Sequence, residues 1–153
     1  MVYEIETIWK LKNMIRIYRN SESIFESLVI NADEMFIIEK LRKSFSLLIN
    51  TNDVSVDVLT ENITPVLNSE CREIIFFGNS SEDYYGAIYD TIADMGLSKI
   101  KITFFNENTI SEVINYFLII TEKDAVDKII IIDHFADDIA RKEYYKNEII
   151  KVL

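Results

Sequence analysis

The residues with most chemistry to offer lie between Asp83 and Met95, where Asp90 and Asp94 stand at i and i+4 of a short helix. Like charges at that spacing destabilise a helix by roughly 0.2–0.5 kcal/mol, so the pair suits a cationic partner better than it suits its own helix. Tyr84, Tyr85 and Tyr89 flank them, as cover for a core or, since tyrosine is enriched where proteins bind one another, as an interface. The bland alternative is two solvated acids, Asp90 gaining slightly from the helix dipole. Gly86 inside a helix would cost about 1 kcal/mol relative to alanine. The spacing therefore predicts a Tyr-rich loop ending at Gly86 and a helix from Ala87, with Ile88, Ile92 and Met95 facing inward.

Asp133 and His134 form a second candidate, directly after the apolar run Ile129 to Ile132. A strand end is where α/β domains place ligands, so a small enzyme or ligand-binding domain with its site there is the alternative reading. A lone histidine more often caps or hydrogen-bonds, and no nucleophile motif accompanies this one. The chain has no G-x-S-x-G, no P-loop and no dinucleotide fingerprint, and its three glycines leave little to cradle a phosphate. One cysteine and one histidine make no zinc cluster, so neither metal nor cofactor is expected. Cys71 reads as a buried, unreactive residue on the apolar side of a helix.

At 153 residues, with 49% apolar and 12% aromatic content, the chain suits one packed α/β domain with no need of disulfides. Its longest apolar runs are too short to cross a bilayer. Glu4 and Glu6 interrupt any secretory pattern, and with the lone cysteine they point to the cytoplasm. The net charge of −10 and pI near 4.6 disfavour nucleic acid and favour a basic protein, although the same charge also keeps an isoleucine-rich chain in solution. Nothing in the sequence sets the oligomeric state.

The elements that must position these residues follow from periodicity. Ile8, Leu11, Met14, Ile15 and Tyr18 fit a helix, and Asn31 or Asp33 caps another whose face holds Phe36, Ile37, Leu41, Phe45 and Leu48. Residues 1–50 are thus expected as a helical extension, with self-association as one use for it, and residues 51–153 as the α/β domain beyond the polar cluster 50–53. Val54, Val56 and Val58 alternate with polar residues as in a strand. Thr64-Pro65 opens a helix whose inward residues are Val66, Leu67 and Ile74, with Cys71 a further candidate, and the alternative is that Ile74 to Phe77 make a buried strand ended by Gly78. Residues 99–105 and 128–133 read as strands and 109–120 as a helix. A last helix over 137–153 uses Ile139, Tyr144, Ile149 and Leu153.

Residues 54–133 resemble the barstar family, small acidic intracellular inhibitors of ribonucleases. The order strand, helix, Tyr-rich loop, short helix, strand, helix, strand is similar, and the motif is Tyr84-Tyr85-Gly86 followed by Asp90, Ile92 and Asp94. The resemblance implies a small two- or three-layer domain, its mostly parallel sheet built from strands near 54–59, 99–105 and 128–133. It implies an immunity-protein role in which loop and helix occlude the active site of a basic nuclease or toxin. Tyr84, Tyr85, Gly86, Tyr89, Asp90 and Asp94 would then touch the partner, the two carboxylates standing in for substrate phosphates. Ile88 and Ala93 depart from the family pattern, which commonly has asparagine and a large aromatic there.

Overall fold

A computed structural model describes residues 14–19, 23–41, 43–68, 70–123 and 128–152. The strands are β1 (Met14–Arg19), β2 (Ser23–Ile30), β3 (Phe45–Asn50), β4 (Cys71–Phe77), β5 (Lys101–Phe105) and β6 (Lys128–Ile132). The helices are α1 (Ile38–Leu41, preceded by a 3-10 stretch Ala32–Ile37), α2 (Val56–Ile63), α3 (Ser81–Asp94), α4 (Ile110–Lys123) and α5 (Ile139–Val152). One six-stranded sheet runs β1-β2-β6-β3-β4-β5. Five strands are parallel, and only β1 runs antiparallel to its neighbour β2. The run β5-β4-β3 has the strand order of one half of a doubly wound sheet, and β6 on the other side of β3 reverses the direction of winding.

Alternate residues of the buried strands feed two apolar layers, as covered parallel strands require. Leu28, Leu47, Ile49, Ile74, Phe76, Ile130 and Ile132 meet Met35 and Ile38 of the first helical segment, Leu59 and Ile63 of α2 and Ile88 and Ile92 of α3. On the opposite face Val29, Leu48, Ile75, Ile129 and Ile131 meet Val113, Ile114 and Phe117 of α4 and Tyr145 and Ile149 of α5. The α/β fold expected from the sequence is present, in three layers where two or three were expected, and Ile129 to Ile132 are fully buried.

Several expected elements are corrected. Residues 56–63 are helical because Ser55 caps the segment, its hydroxyl accepting from the Val58 amide at 3.2 Å. The inward positions there are Val56, Leu59 and Ile63 at i, i+3 and i+7, while Val58 is exposed. Thr64-Pro65 opens only a 3-10 turn, and the chain turns at Asn68 into β4, so the buried-strand alternative at Ile74 to Phe77 is the one observed. The expected helical extension is instead strands β1, β2 and β3 with one short helical segment, and the boundary expected at 50–53 falls inside the sheet as the β3–α2 turn. Ile8 and Leu11, like Leu153, lie outside the described residues. In α5 the buried ring is Tyr145, whereas Ile139 is 78% exposed.

Cys71 is 3% exposed at the start of β4, on a strand and not on a helix. Burial pushes its thiol up to about 12, against a smaller downward pull from the adjacent Arg72 guanidinium. An unfolded thiol ionises near pH 8.5, so between roughly pH 8.5 and 12 the folded chain holds a proton that the unfolded chain has lost. The stabilisation is complete below this window and disappears as pH rises through it. Denaturant unfolding at pH 8 and pH 11 is expected to give the lower stability at pH 11, with a shallower loss in Cys71→Ala. Native-state labelling of Cys71 at pH 8 is expected to be slow, and rapid stoichiometric labelling would contradict its burial.

Candidate functional site

Neighbouring strands β3 and β6 hand the chain to opposite faces, β3 to α2 and β6 to α5, which makes a topological switch point at their carboxyl ends. Its crevice is filled by the protein's own side chains. Asp133 Oδ2 accepts from the Tyr145 hydroxyl at 2.5 Å and from Asn50 Nδ2 at 3.2 Å, and Oδ1 accepts from the Phe135 amide at 2.8 Å. Arg141 reaches the same carboxylate at 3.5 Å from a side chain 34% exposed, its guanidinium 5.3 Å over the Phe135 ring. Burial, and then the Asp133 charge, raise the Tyr145 phenol well above its usual range, so it donates at any neutral pH. A phosphate entering here would meet a buried carboxylate and a glycine-free β3–α2 turn. His134 is exposed, its ring edge-on to Phe135 and its carbonyl accepting from Asn31 Nδ2 at 2.8 Å. Among the described residues no group of three or more His, Cys, Asp or Glu side chains is placed to hold a metal, and no helix is long and apolar enough to cross a membrane.

Helix α3 begins earlier than its glycine suggests. Ser80 takes a left-handed turn (φ 58°), and Glu82 and Asp83 occupy the first turn, where the helix dipole favours acids. Gly86 is therefore mid-helix, at an exposed position with open space for a Cβ, and no Tyr-rich loop exists. Tyr84 is buried, its ring 6.5 Å from Phe76 and its hydroxyl donating to the Val54 carbonyl. Burial, with the neighbouring Asp83 charge, raises its phenol. Tyr84 thus ties α3 to the β3–α2 turn and is not available to a partner.

The remaining expected residues do share the outer surface. Tyr85 is half-buried, stacked 6.0 Å from Tyr89 and tilted 5.0 Å from Phe104 of β5. Tyr89 is 55% exposed, and Asp90 and Asp94 are exposed one after the other along the helix. Met95, expected inward, is exposed as well, because the chain leaves the helix there for Gly96. Asp83, seven residues before Asp90, extends the same acidic side while Glu82 lies on the side of Tyr89, and sequence reasoning missed both although acids after a serine pair are a helix-start signal. Between α3 and the edge strand β5 lies a shallow groove of about 160 Å³ lined by Tyr85, Tyr89, Ile92, Ala93, Ile100 and Ile102. No salt bridge engages Glu82, Asp83, Asp90 or Asp94 among the described residues.

Comparison with known proteins adds no name to this face. No family model matches the chain. A search of the curated proteins likewise gives no match.

Proposed function

We propose that this chain is a non-enzymatic cytoplasmic binding protein that presents the outer side of α3 to a basic partner, a nuclease or toxin whose active site it occludes. The observation that carries the reading is the run of exposed acids, Asp90 and Asp94 above all, without ion pairs among the described residues and beside an exposed tyrosine. Asp94 stands in the last turn of the helix, where the dipole disfavours an acid by roughly 0.3–1 kcal/mol, so stability does not account for it. The barstar-like plug is accordingly a helix face of Tyr89, Asp90 and Asp94, since Tyr84 is held in the core and Gly86 forms no loop. The switch-point alternative has less support, because Asp133 already has its donors.

Asp90→Ala and Asp94→Ala test the reading directly. Unfolding of the free protein is expected to change by no more than about 0.5 kcal/mol in Asp90→Ala, as at other exposed positions, and to gain up to about 1 kcal/mol of stability in Asp94→Ala as the dipole penalty is relieved. Binding to the basic partner that co-purifies from the native host is expected to weaken by several kcal/mol, and association to slow as salt rises past a Debye length of about 8 Å. Unchanged association and dissociation rates in both variants would remove α3 as the contact face.

A further inference from the structure

We propose that β5 pairs antiparallel with β5 of a second copy of this chain, joining two sheets across a two-fold axis. Strand β5 ends the sheet and pairs only with β4, so its outer row of amides and carbonyls faces no strand among the described residues. An open edge of this kind is a template for another strand. Its only local defence among the described residues is Lys101 at the amino end: β5 has no proline, and Ile102 to Phe105 are only half-buried.

The occupant follows from the charges along the edge. Lys99 and Lys101 lie at the amino end, and Glu107 lies just past the carboxyl end, where the Ser81 hydroxyl sits 3.0 Å from the Phe105 carbonyl and brings Glu82 alongside. A strand that is basic at one end and acidic at the other matches its own reverse. In the antiparallel register centred on Thr103, Ile102 faces Phe104 of the second copy, Lys101 faces Phe105 and Thr103 faces itself, while beyond the strand ends Lys99 of one copy and Glu107 of the other come to the same end of the ladder. Opposite charges, an aromatic against a branched aliphatic, and paired threonines are each favourable cross-strand neighbours. Phe104 and Tyr85 are in contact, so the same register brings the exposed Tyr89 side of each α3 towards the axis. Asp90 and Asp94 point further round the helix, about a third to half a turn from that groove. The inference shares Tyr89 with the acidic-face reading but not Asp90 or Asp94, so the two are separable by substitution. The −10 charge on each copy opposes association, but at physiological salt it is screened beyond about 8 Å, while the matched ends are in contact.

Sedimentation of the full chain over about 1 to 200 µM is expected to show conversion from 17.9 kDa to twice that mass by mass action. Lys99→Glu and Glu107→Lys, both at exposed positions outside the strand, are each expected to raise the dimer dissociation constant about tenfold or more. The double variant is expected to restore it, because the reversed pair is again opposite in charge. Amide exchange of Ile102 to Phe105 is expected to slow with concentration. A chain monomeric throughout that range overturns the proposal, as does a dimer indifferent to the single and double reversals, whose interface would lie elsewhere, such as the opposite sheet edge at β1. Asp90→Ala leaves the dimer unchanged, and Lys99→Glu leaves basic-partner binding at α3 in place, so each idea can fail alone.

Discussion

Asp133→Ala is expected to lower the unfolding free energy by about 3 kcal/mol, one of the two largest effects anticipated for a single side chain outside the apolar layers. Asp133 is 1% exposed and gathers the Tyr145 hydroxyl, the Asn50 amide and the Phe135 backbone N–H. Removing the carboxylate leaves these buried donors short of an acceptor, and each unsatisfied donor costs roughly 1–3 kcal/mol, with partial relief where Asn50 still reaches the Tyr145 oxygen at 3.3 Å. Arg141 adds little, since a guanidinium with that much exposure regains water when its partner goes. Asp133→Asn, which keeps one acceptor oxygen and puts an NH2 donor at the other position, is expected to cost less, about 1–2 kcal/mol. Urea unfolding of the two variants measures the difference. A loss below about 1 kcal/mol in Asp133→Ala would mean that the cluster is not holding α5 to the sheet.

Gly78→Ala is the second. Gly78 has φ of +108°, which alanine rarely adopts, and a Cβ there would stand 3.0 Å from Asn52 Oδ1 and Thr51 Oγ1 and 3.1 Å from Asn50 Oδ1. Backbone strain of this kind costs roughly 1–3 kcal/mol. The crowded atoms are also committed: Asn52 Oδ1 accepts from the Asn79 amide at 2.8 Å, and the Thr51 hydroxyl lies 2.7 Å from the Asn79 carbonyl oxygen. Displacing them adds about 1 kcal/mol per hydrogen bond, for a total near 3–4 kcal/mol. Gly96→Ala is the control, because Gly96 also has positive φ (71°) but nothing within 4 Å of its Cβ position. Strain alone predicts about 1–2 kcal/mol there, so equal losses in both variants, read by thermal or denaturant unfolding, would dismiss the close-packing part of the argument.

How far the sequence could be read depended on what each segment packs against. The uninterrupted Ile129 to Ile132 and the alternating Lys99 to Phe105 gave β6 and β5 directly, and the caps and apolar spacing of 109–120 gave α4. Strand β3 was concealed because Ser46 and Asn50 are polar yet buried, which breaks the apolar run and lets Phe45 and Leu48 pass for one helix face. Three valines at alternate positions imitated a strand at 54–58, whereas the cap at Ser55 decided for helix. The outward position of Asp90 and Asp94 was legible from a 3.6-residue period alone, whereas that of Tyr89 was open between core and surface. The burial of Tyr84 was not, because its phenol answers a carbonyl thirty residues earlier in the chain. The same holds for Asn50, Asp133 and Tyr145, which meet only once the strands are in order.

The position of β6 also dictates a sequence of events. It lies between β2 and β3, with Ile130 beside both Leu28 and Leu47, although it is the last strand in sequence among the described residues. Until residues 128–132 leave the ribosome, β2 and β3 have no common neighbour, and the centre of the sheet is a gap with two hydrophobic margins. Pairing of such high sequence separation is slow, because loop-closure entropy must be met before any contact rewards it. The β3-β4-β5 unit can assemble early from neighbours in the chain, but completion waits for its final segment, so nascent chains hold unpaired apolar edges that invite chaperones. A chain cut short anywhere before β6 would lose its central strand, and with it the link between its two halves.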